Sequence, residues 1–392
     1  ENLKKIFELS MSEQNQHVWL GLLKWSLAYS DGTSPSDLGP MSEERRNFLE
    51  AVMRDGVVDE VKRMKEIMEE LRRGLSPAKK DENDDDDANR PDEEVMHDML
   101  MELRDIIEQI DYAQTFAKVG GLPFLLGCAI EGSGDGKASG AGGTIDVPSK
   151  VRRGCLSVLA GLAQNNPPVQ SELASAKAVE KLLVAYVRPP LGEKCGASAY
   201  RSQLLRNISC IVRGDAGRED ALVRSEIGSA VLLSALTSCG DGSDLAAAAL
   251  RRRAAFLVRA LTTSDDASAE RLQNLRPHLG SMVDSITDRD GGREVDMELR
   301  ETSLTMLIDI LQQKKDVCVV QLHQEYLVGA GVQRVAELRQ LDGEEAEVAS
   351  VELDLWENLI LELARSSRDG NTSSHLPEEP LLMLASQPNP NE

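Results

Sequence analysis

The sequence predicts an all-α protein made of stacked helical repeats, and three observations lead to this prediction. Aromatic residues make up 3% of the 392 residues, whereas sheets favour aromatic and β-branched side chains. Ala, Leu, Val, Glu and Arg dominate the composition, a balance that suits stacked helices better than sheets. Finally, apolar segments that end in a polar turn recur at a nearly constant interval.

That interval is marked by four segments: LAGLAQNNPPVQ, NISCIVRGDAG, FLVRALTTSDDA and MLIDILQQKKDV. Leu162, Val212, Leu261 and Leu311 occupy equivalent positions in them, 50, 49 and 50 residues apart. A second, shorter apolar stretch follows each segment. Because one such unit cannot bury its apolar stripe alone, neighbouring units must stack, and the pattern predicts a solenoid.

The parts of the chain before and after the repeats differ in composition. Residues 1–40 contain one apolar cluster, VWLGLLKWSLAY, which is either a docked helix or a mobile segment that binds a partner. Helical spacing of apolar residues predicts N-terminal helices at 41–75. An acidic stretch at 76–94 predicts a solvated linker. The repeats are predicted over 95–366, and a disordered tail rich in Ser, Pro and Asn over 367–392.

Within the repeats, MLMELRDIIEQIDYAQTFAKVGGLPFLL predicts a helix, a turn and a second helix. The apolar stripe of the first helix is expected to comprise Met99, Leu103, Ile106, Ile107 and Ile110. The step from Gly120 to Pro123 ends one helix and begins the next. We expect a final capping helix from Val351 to Ala364.

Several classes of function lack support in the sequence. A formal net charge of -22 would repel a nucleic-acid backbone, and no window of about 18 apolar residues predicts a membrane span. The five histidines show none of the spacings typical of metal sites, and the Gly-rich stretch 132–143 lacks the Lys-Ser ending of a phosphate-binding loop. We therefore expect a binding protein rather than an enzyme, with no cofactor and no metal.

Six cysteines stand at 128, 155, 195, 210, 239 and 318 without close CxxC pairs. Most lie in apolar helical stretches, so we expect reduced thiols in a reducing compartment. The N-terminus shows no signal-peptide pattern and the C-terminus no retention sequence, which favours the cytoplasm, with the ER lumen as the alternative. Since residue 1 is Glu rather than Met, the question of a removed leader stays open.

Three stretches carry a family resemblance: LLKWSLAYSDGT, MSEERRNFLEAVMRDGVVDEVKRMKEIMEEL and LRDIIEQIDYAQTFAKVGGLPFLL. They resemble the N-terminal half of the armadillo-type nucleotide exchange factors of 70-kDa heat-shock chaperones. This family includes the cytosolic exchange factor of plants and fungi and the heat-shock-protein-70-binding protein of animals. The resemblance implies a right-handed α-solenoid of armadillo-like repeats with a helical N-terminal region.

It also implies a co-chaperone that binds the ATPase domain of the chaperone and promotes release of ADP and client through reciprocal coupling. Partner-binding residues on the concave face would be Arg153, Arg206, Arg252, Arg259 and Asp309, with Cys210 near them. A release segment that competes for the substrate-binding domain of the chaperone would contain Leu22, Leu23, Trp25 and Leu27. A monomer that binds neither nucleic acid nor membrane is expected.

Two other interpretations stay open. A generic armadillo scaffold would bind an extended peptide through ladders of Trp and Asn on its inner helices, and Trp356 with Asn358 is the one such pair in the sequence. An enzyme with an unrecognised site would need a catalytic constellation, and no spacing of Ser, His and acids selects one. For each single arginine, the alternative is a solvated side chain or a salt bridge within the repeats.

Overall fold

The computed structural model describes residues 59–76, 90–130, 147–190, 197–238, 244–287, 294–313 and 324–369. In these ranges the chain forms fifteen α-helices and no strand. The all-α prediction is therefore confirmed. The chain divides into two compact units, Glu1–Arg63 and Met64–Glu392, and nearly all described residues belong to the second.

In chain order the helices are α1 Glu60–Leu75, α2 Glu93–Ile106, α3 Ile110–Lys118, α4 Gly121–Ile130, α5 Ser149–Ala163, α6 Pro167–Ser175, α7 Ala178–Val187, α8 Ala197–Val212, α9 Ala216–Arg224, α10 Glu226–Leu236, α11 Leu245–Thr263, α12 Ala269–Thr287, α13 Met297–Gln312, α14 Gln324–Leu338 and α15 Glu344–Asp369.

Three units of three helices follow one another: α3–α5, α6–α8 and α9–α11. The third helices pack side by side in chain order, and the row extends through α2, α5, α8, α11, α13 and α15. We call it the third-helix row. A second row contains α4, α7, α10, α12 and α14. Helix α12 contacts both α9 and α10, so this one long helix takes the place of the first two helices of a unit.

The four positions predicted to be equivalent lie at the C-terminal ends of α5, α8, α11 and α13. Leu162 and Leu261 are 0% exposed, Val212 1% and Leu311 8%. Each closes the apolar contact between its own helix and its neighbours, which is why the interval of about 50 residues was visible in the sequence. The repeat prediction and the α-solenoid it implies are confirmed.

Short polar residues begin several helices. Asp92 accepts from the backbone N–H of Val95 at 2.9 Å and caps α2, and side chains also cap the starts of α9, α10, α11 and α13. Such acceptors satisfy amides that have no partner in the first turn. At the other end of α3, Gly120 has a φ of +82°, a conformation that glycine adopts without strain. The predicted step between α3 and α4 is confirmed.

Other helix boundaries were predicted wrongly. Helix α2 begins at Glu93, inside the predicted linker, because Asp92 supplies its cap. It ends at Ile106, and α3 starts afresh at Ile110, whose side chain is 60% exposed. The buried stripe of α2 is instead Met96, Leu100 and Leu103, followed by Ile107. The capping helix α15 is longer than predicted and runs Glu344–Asp369.

Buried ion pairs join successive units. The side chain of Arg271 in α12 is 0% exposed and donates to the carboxylates of Glu219 and Asp220 and to the carbonyl of Ala216, all in α9. Because both partners lie about one repeat earlier in the chain, this cluster fastens the start of one unit to the start of the next.

Several predictions concern residues outside the described ranges. These are the apolar cluster with Leu22, Leu23, Trp25 and Leu27, most of the acidic linker, the Gly-rich stretch, the tail beyond 369, and Cys195, Cys239 and Cys318. Of the described cysteines, Cys128, Cys155 and Cys210 are free thiols, as expected.

Candidate functional site on the third-helix row

The five predicted partner-binding residues all lie on the third-helix row. Arg153 belongs to α5, Arg206 to α8, Arg252 and Arg259 to α11, and Asp309 to α13. Arg206 is exposed and the other four are partly exposed. The structure thus gathers them onto adjacent helices, while their role in binding a partner stays a prediction.

Arg259 and Asp309 bind each other. The guanidinium donates from Nε at 3.1 Å and from Nη2 at 2.9 Å to the same carboxylate oxygen, Oδ2, and so joins α11 to α13. Arg252 likewise donates from Nε to Oδ2 of Asp296 at 2.8 Å and from Nη1 to Glu298. These side chains therefore hold two helices of the row together, whatever else they contact.

Arg153 lies farther along the row, in a groove between α2, α5 and α8. The groove has a volume of about 460 Å³, and His97, Lys150 and Gln203 also line it. Lys150 forms an ion pair with Glu94. Charges of both signs are thus mixed in this part of the surface.

A larger groove of about 740 Å³ lies where the C-terminal end of α5 meets α8 and α11. We call it the arginine groove and define it by Arg206, Cys210, Arg213, Arg253 and Phe256, which all line it. Among the residues that the structure describes, no carboxylate lies within ion-pair distance of its three arginines. The groove is therefore a concentration of positive charge on a chain whose net charge is -22.

Two acidic residues also line the groove. The carboxylate of Glu219 is already bound by Arg271 and accepts from the backbone N–H of Gly214 at 2.9 Å. Asp265 is exposed to solvent. Neither carboxylate forms a salt bridge with the arginines of the groove, so the positive charge there is not neutralised from within the described chain.

The electrostatic effects inside the groove show how closely its arginines are gathered. Arg253 donates from Nη1 to the carbonyl of Ser202 at 2.8 Å. Burial, and then the nearby charge of Arg206, lower the pKa of Arg253 below its usual range. Burial raises the pKa of the Cys210 thiol, against the opposing effect of Arg206, Arg213 and Arg253. Cys210 is therefore a neutral thiol surrounded by three cations.

An aromatic side chain completes the groove. The guanidinium carbon of Arg213 lies 4.8 Å from the centroid of the Phe256 ring, a cation–π contact. Phe256 is nevertheless 47% exposed. Arginine and aromatic side chains that stay accessible together are typical of the strongest contacts in protein interfaces.

Sequence reasoning found Arg206 and Cys210 but missed Arg213, Arg253 and Phe256. Arg213 follows Arg206 by seven residues, two turns of helix on one face, and this spacing was visible in the sequence. Phe256 stands in the apolar run FLVRAL and looks like a core residue. The exposure of Phe256 depends on how α11 packs against neighbouring helices, and a local sequence pattern does not predict that packing.

The peptide ladder of a generic armadillo scaffold does not form with the residues predicted for it. The side chain of Trp356 is 1% exposed and belongs to the core. Asn358, on the same helix, is exposed. The pair therefore does not present both side chains on one accessible surface.

Among the residues that the structure describes, no group of three or more His, Cys, Asp and Glu side chains could hold a metal ion. No single helix there is long and apolar enough to cross a membrane, and the bent pair α3 and α4 meets that criterion only when both helices are counted together.

Part of the chain is similar to a known protein family. Residues 20–116 match the family model described as "Nucleotide exchange factor Fes1". Curated relatives include Hsp70-binding protein 1 from Homo sapiens and from Macaca fascicularis, each 26% identical over 196 residues, or 49% of this chain. The matches cover 48% and 47% of those proteins, so the chain spans about half the length of the curated relatives it matches.

Solved structures similar to this chain include two designed armadillo repeat proteins. YIII(Dq)4CqI has a TM-score of 0.47, and YIII(Dq.V1)4CPAF in complex with the peptide (KR)4 has a TM-score of 0.49. Each is 14% identical, and each match covers 76% of this chain and 99% of the designed one. The fold itself was assigned above from the helices and their packing. The resemblance seen in the sequence is confirmed by the family model and the curated relatives: residues 20–116 of this chain are similar to the family described as nucleotide exchange factor Fes1.

Proposed function

We propose that the chain is a co-chaperone that binds the ATPase domain of a 70-kDa heat-shock chaperone and promotes the release of ADP and client. The observation that carries this proposal is the match of residues 20–116 to the Fes1 family model. The relatives whose name is Hsp70-binding protein 1 support the choice of partner.

Exchange of this kind needs no bond chemistry. A protein that binds the ADP-free conformation of the ATPase domain better than the ADP-bound one lowers the affinity for ADP by the same factor. The effect cannot exceed that difference in affinity. The binding surface must therefore be stiff enough to favour one conformation of its partner over the other.

The third-helix row has the properties that such a surface requires. Six helices lie side by side, and charged pairs one repeat apart, such as Arg259 with Asp309, tie neighbouring helices together. We assign Arg252, Arg259 and Asp309 to holding the row in one geometry while their exposed atoms face the partner. Arg206 and Arg153 are proposed as direct contacts, with Arg206 at the mouth of the arginine groove.

The N-terminal segment is proposed to have a separate role. Leu22, Leu23, Trp25 and Leu27 would occupy the peptide groove of the chaperone's substrate-binding domain, because four apolar side chains within six residues suit an apolar groove. The same proposal includes a monomeric, non-catalytic protein of the cytoplasm.

The test is the dissociation rate of a fluorescent ADP analogue from a cytosolic 70-kDa chaperone, with and without the full chain. We expect acceleration, and we expect Arg206→Glu to weaken it at least about tenfold, the loss that corresponds to one charged contact. Lys181→Glu is the matched control, because Lys181 is exposed on α7 in the second row. If the wild-type chain left the rate unchanged across a panel of such chaperones, the exchange function would be abandoned.

A further inference from the structure

We propose that the arginine groove binds an extended acidic segment of a partner protein, in which carboxylates about 10 Å apart flank an apolar side chain. This inference deepens the proposed function, since it names the chemistry of the surface that the third-helix row would recognise. Its test does not require nucleotide exchange.

The first argument is charge. The chain carries 66 acidic and 44 basic residues, and other arginines of the row already have carboxylate partners, as Arg259 has Asp309. Arg206, Arg213 and Arg253 instead share one groove, and none of them forms a salt bridge with a described carboxylate. Like charges held together repel one another, and an anion that entered the groove would relieve this repulsion.

The second argument is the spacing of the cations. Arg206 lies on α8, and Arg213 directly follows its last residue, where the backbone N–H of Arg213 still donates to the carbonyl of Ser209. Seven residues of helix correspond to about 10 Å along the axis. One carboxylate has two oxygens on a single carbon, so it suits one guanidinium fork better than two that are separated along a helix. Three or four residues of extended chain cover the same distance at about 3.3 Å per residue. A segment with carboxylates at that separation would engage both forks.

The third argument is the apolar part of the groove. Phe256 is 47% exposed beside Arg213. Burial raises the pKa of the Cys210 thiol, so the thiol stays neutral despite the nearby arginines. The volume of about 740 Å³ is far more than a single carboxylate fills and is typical of a pocket that holds several groups at once. An apolar side chain between the two acidic residues of the segment would cover the exposed part of the Phe256 ring.

The probe for the test is a short fluorescein-labelled peptide in which glutamates flank one leucine, compared with the same peptide carrying glutamines. Fluorescence anisotropy with the full chain should show at least about tenfold tighter binding of the glutamate peptide, as expected for a hydrogen bond between charged groups. The affinity should fall as salt is added, because screening weakens exposed charge pairs.

Two double variants locate the binding. Arg206→Glu with Arg213→Glu should abolish the preference for the glutamate peptide. Lys181→Glu with Arg224→Glu makes the same change in net charge at exposed positions outside the row and should retain it. Phe256→Ala should weaken both peptides, and circular dichroism confirms that each variant stays folded.

Equal affinity for both peptides, or an equal loss in the two double variants, would overturn the proposal. So would displacement of the peptide by inorganic phosphate but not by chloride at matched ionic strength, because the groove would then be a phosphate site. The ADP-release assay, run on the same proteins, separates the two ideas. Peptide binding without accelerated release of ADP supports the proposed groove and refutes the exchange function. Accelerated release without peptide binding supports the exchange function and refutes the proposed groove.

Discussion

Replacing Glu352 with Gln changes the size of the side chain very little, but it should strongly lower the free energy of unfolding of the last repeat. The carboxylate is 1% exposed and accepts four hydrogen bonds, two at each oxygen. Arg300 in α13 donates at 3.1 and 2.7 Å, and Arg334 in α14 donates at 2.9 and 3.1 Å. One side chain of α15 thus ties three helices together.

The magnitude follows from what the substitution leaves behind. Glutamine keeps the shape but removes the negative charge, and its NH₂ group would face guanidinium N–H groups that need an acceptor. Arg300 would then lose its carboxylate partner, and Arg334 would keep only Glu337, which is partly exposed. Breaking a buried ion pair in this way costs about 3–5 kcal/mol, which lowers the ratio of folded to unfolded last repeat by about two to four powers of ten.

Urea unfolding followed by tryptophan fluorescence measures this cost. Trp356 lies one turn from Glu352 and is 1% exposed, and it reports alone when Trp19 and Trp25, the other two of the three tryptophans, are replaced by Phe. The control is Glu362→Gln on the same helix, whose arginine partner is largely exposed, and we expect it to cost less than about 1 kcal/mol. If both variants cost the same, the reasoning about burial is refuted.

The pH dependence provides a second readout of the same carboxylate. Burial raises the pKa of Glu352, but hydrogen bonds from Arg334 and Arg300 outweigh it, and the net pKa is lowered. A lowered folded-state pKa contributes stability that is present above the unfolded value of about 4.3 and is lost as the pH falls through the folded value. The destabilisation caused by Glu352→Gln should therefore shrink in acid. A difference that stays constant with pH would contradict this.

Three further substitutions test the packing of the helices. A Cβ at Gly331 would lie 2.9 Å from the ring of Trp356, so Gly331→Ala should lower the free energy of unfolding by about 1–3 kcal/mol. Gly329→Ala on the same helix meets no atom within 4 Å and should raise it by about 0.5–1 kcal/mol; equal effects in urea unfolding would refute the close contact. Tyr200→Phe removes a buried hydrogen bond of 2.8 Å from α8 to a carbonyl of α4. It should cost about 1 kcal/mol, and a neutral result by the same measurement would show that the bond contributes nothing.

Helix periodicity explains why the repeats could be predicted and why their boundaries could not. The interval between Leu162, Val212, Leu261 and Leu311 repeats because each closes the same buried contact. The stripe of α2 was predicted from Met99 to Ile110, but α2 ends at Ile106 and a new helix begins at Ile110. A break of three residues changes the face on which later residues lie, and one apolar stretch can be read in either register.

The candidate site, too, could be predicted from the sequence only in part. The family resemblance implied which arginines of the third helices would bind a partner, and the structure brings those residues onto one row. Whether an arginine there meets an acid was not visible, because Arg259 and Asp309 are 50 residues apart in the chain and meet only where α11 packs on α13. Arg213 and Phe256 come together for the same reason.

The sequence alone was enough to determine the helical class, the repeat of about 50 residues and the family resemblance, because helix formation and the burial of one face depend on neighbours three or four residues away. The tertiary structure decided which charges are neutralised, that Trp356 is buried and that Phe256 is exposed. Those outcomes depend on residues that are distant in the chain and that the packing of the helices brings into contact.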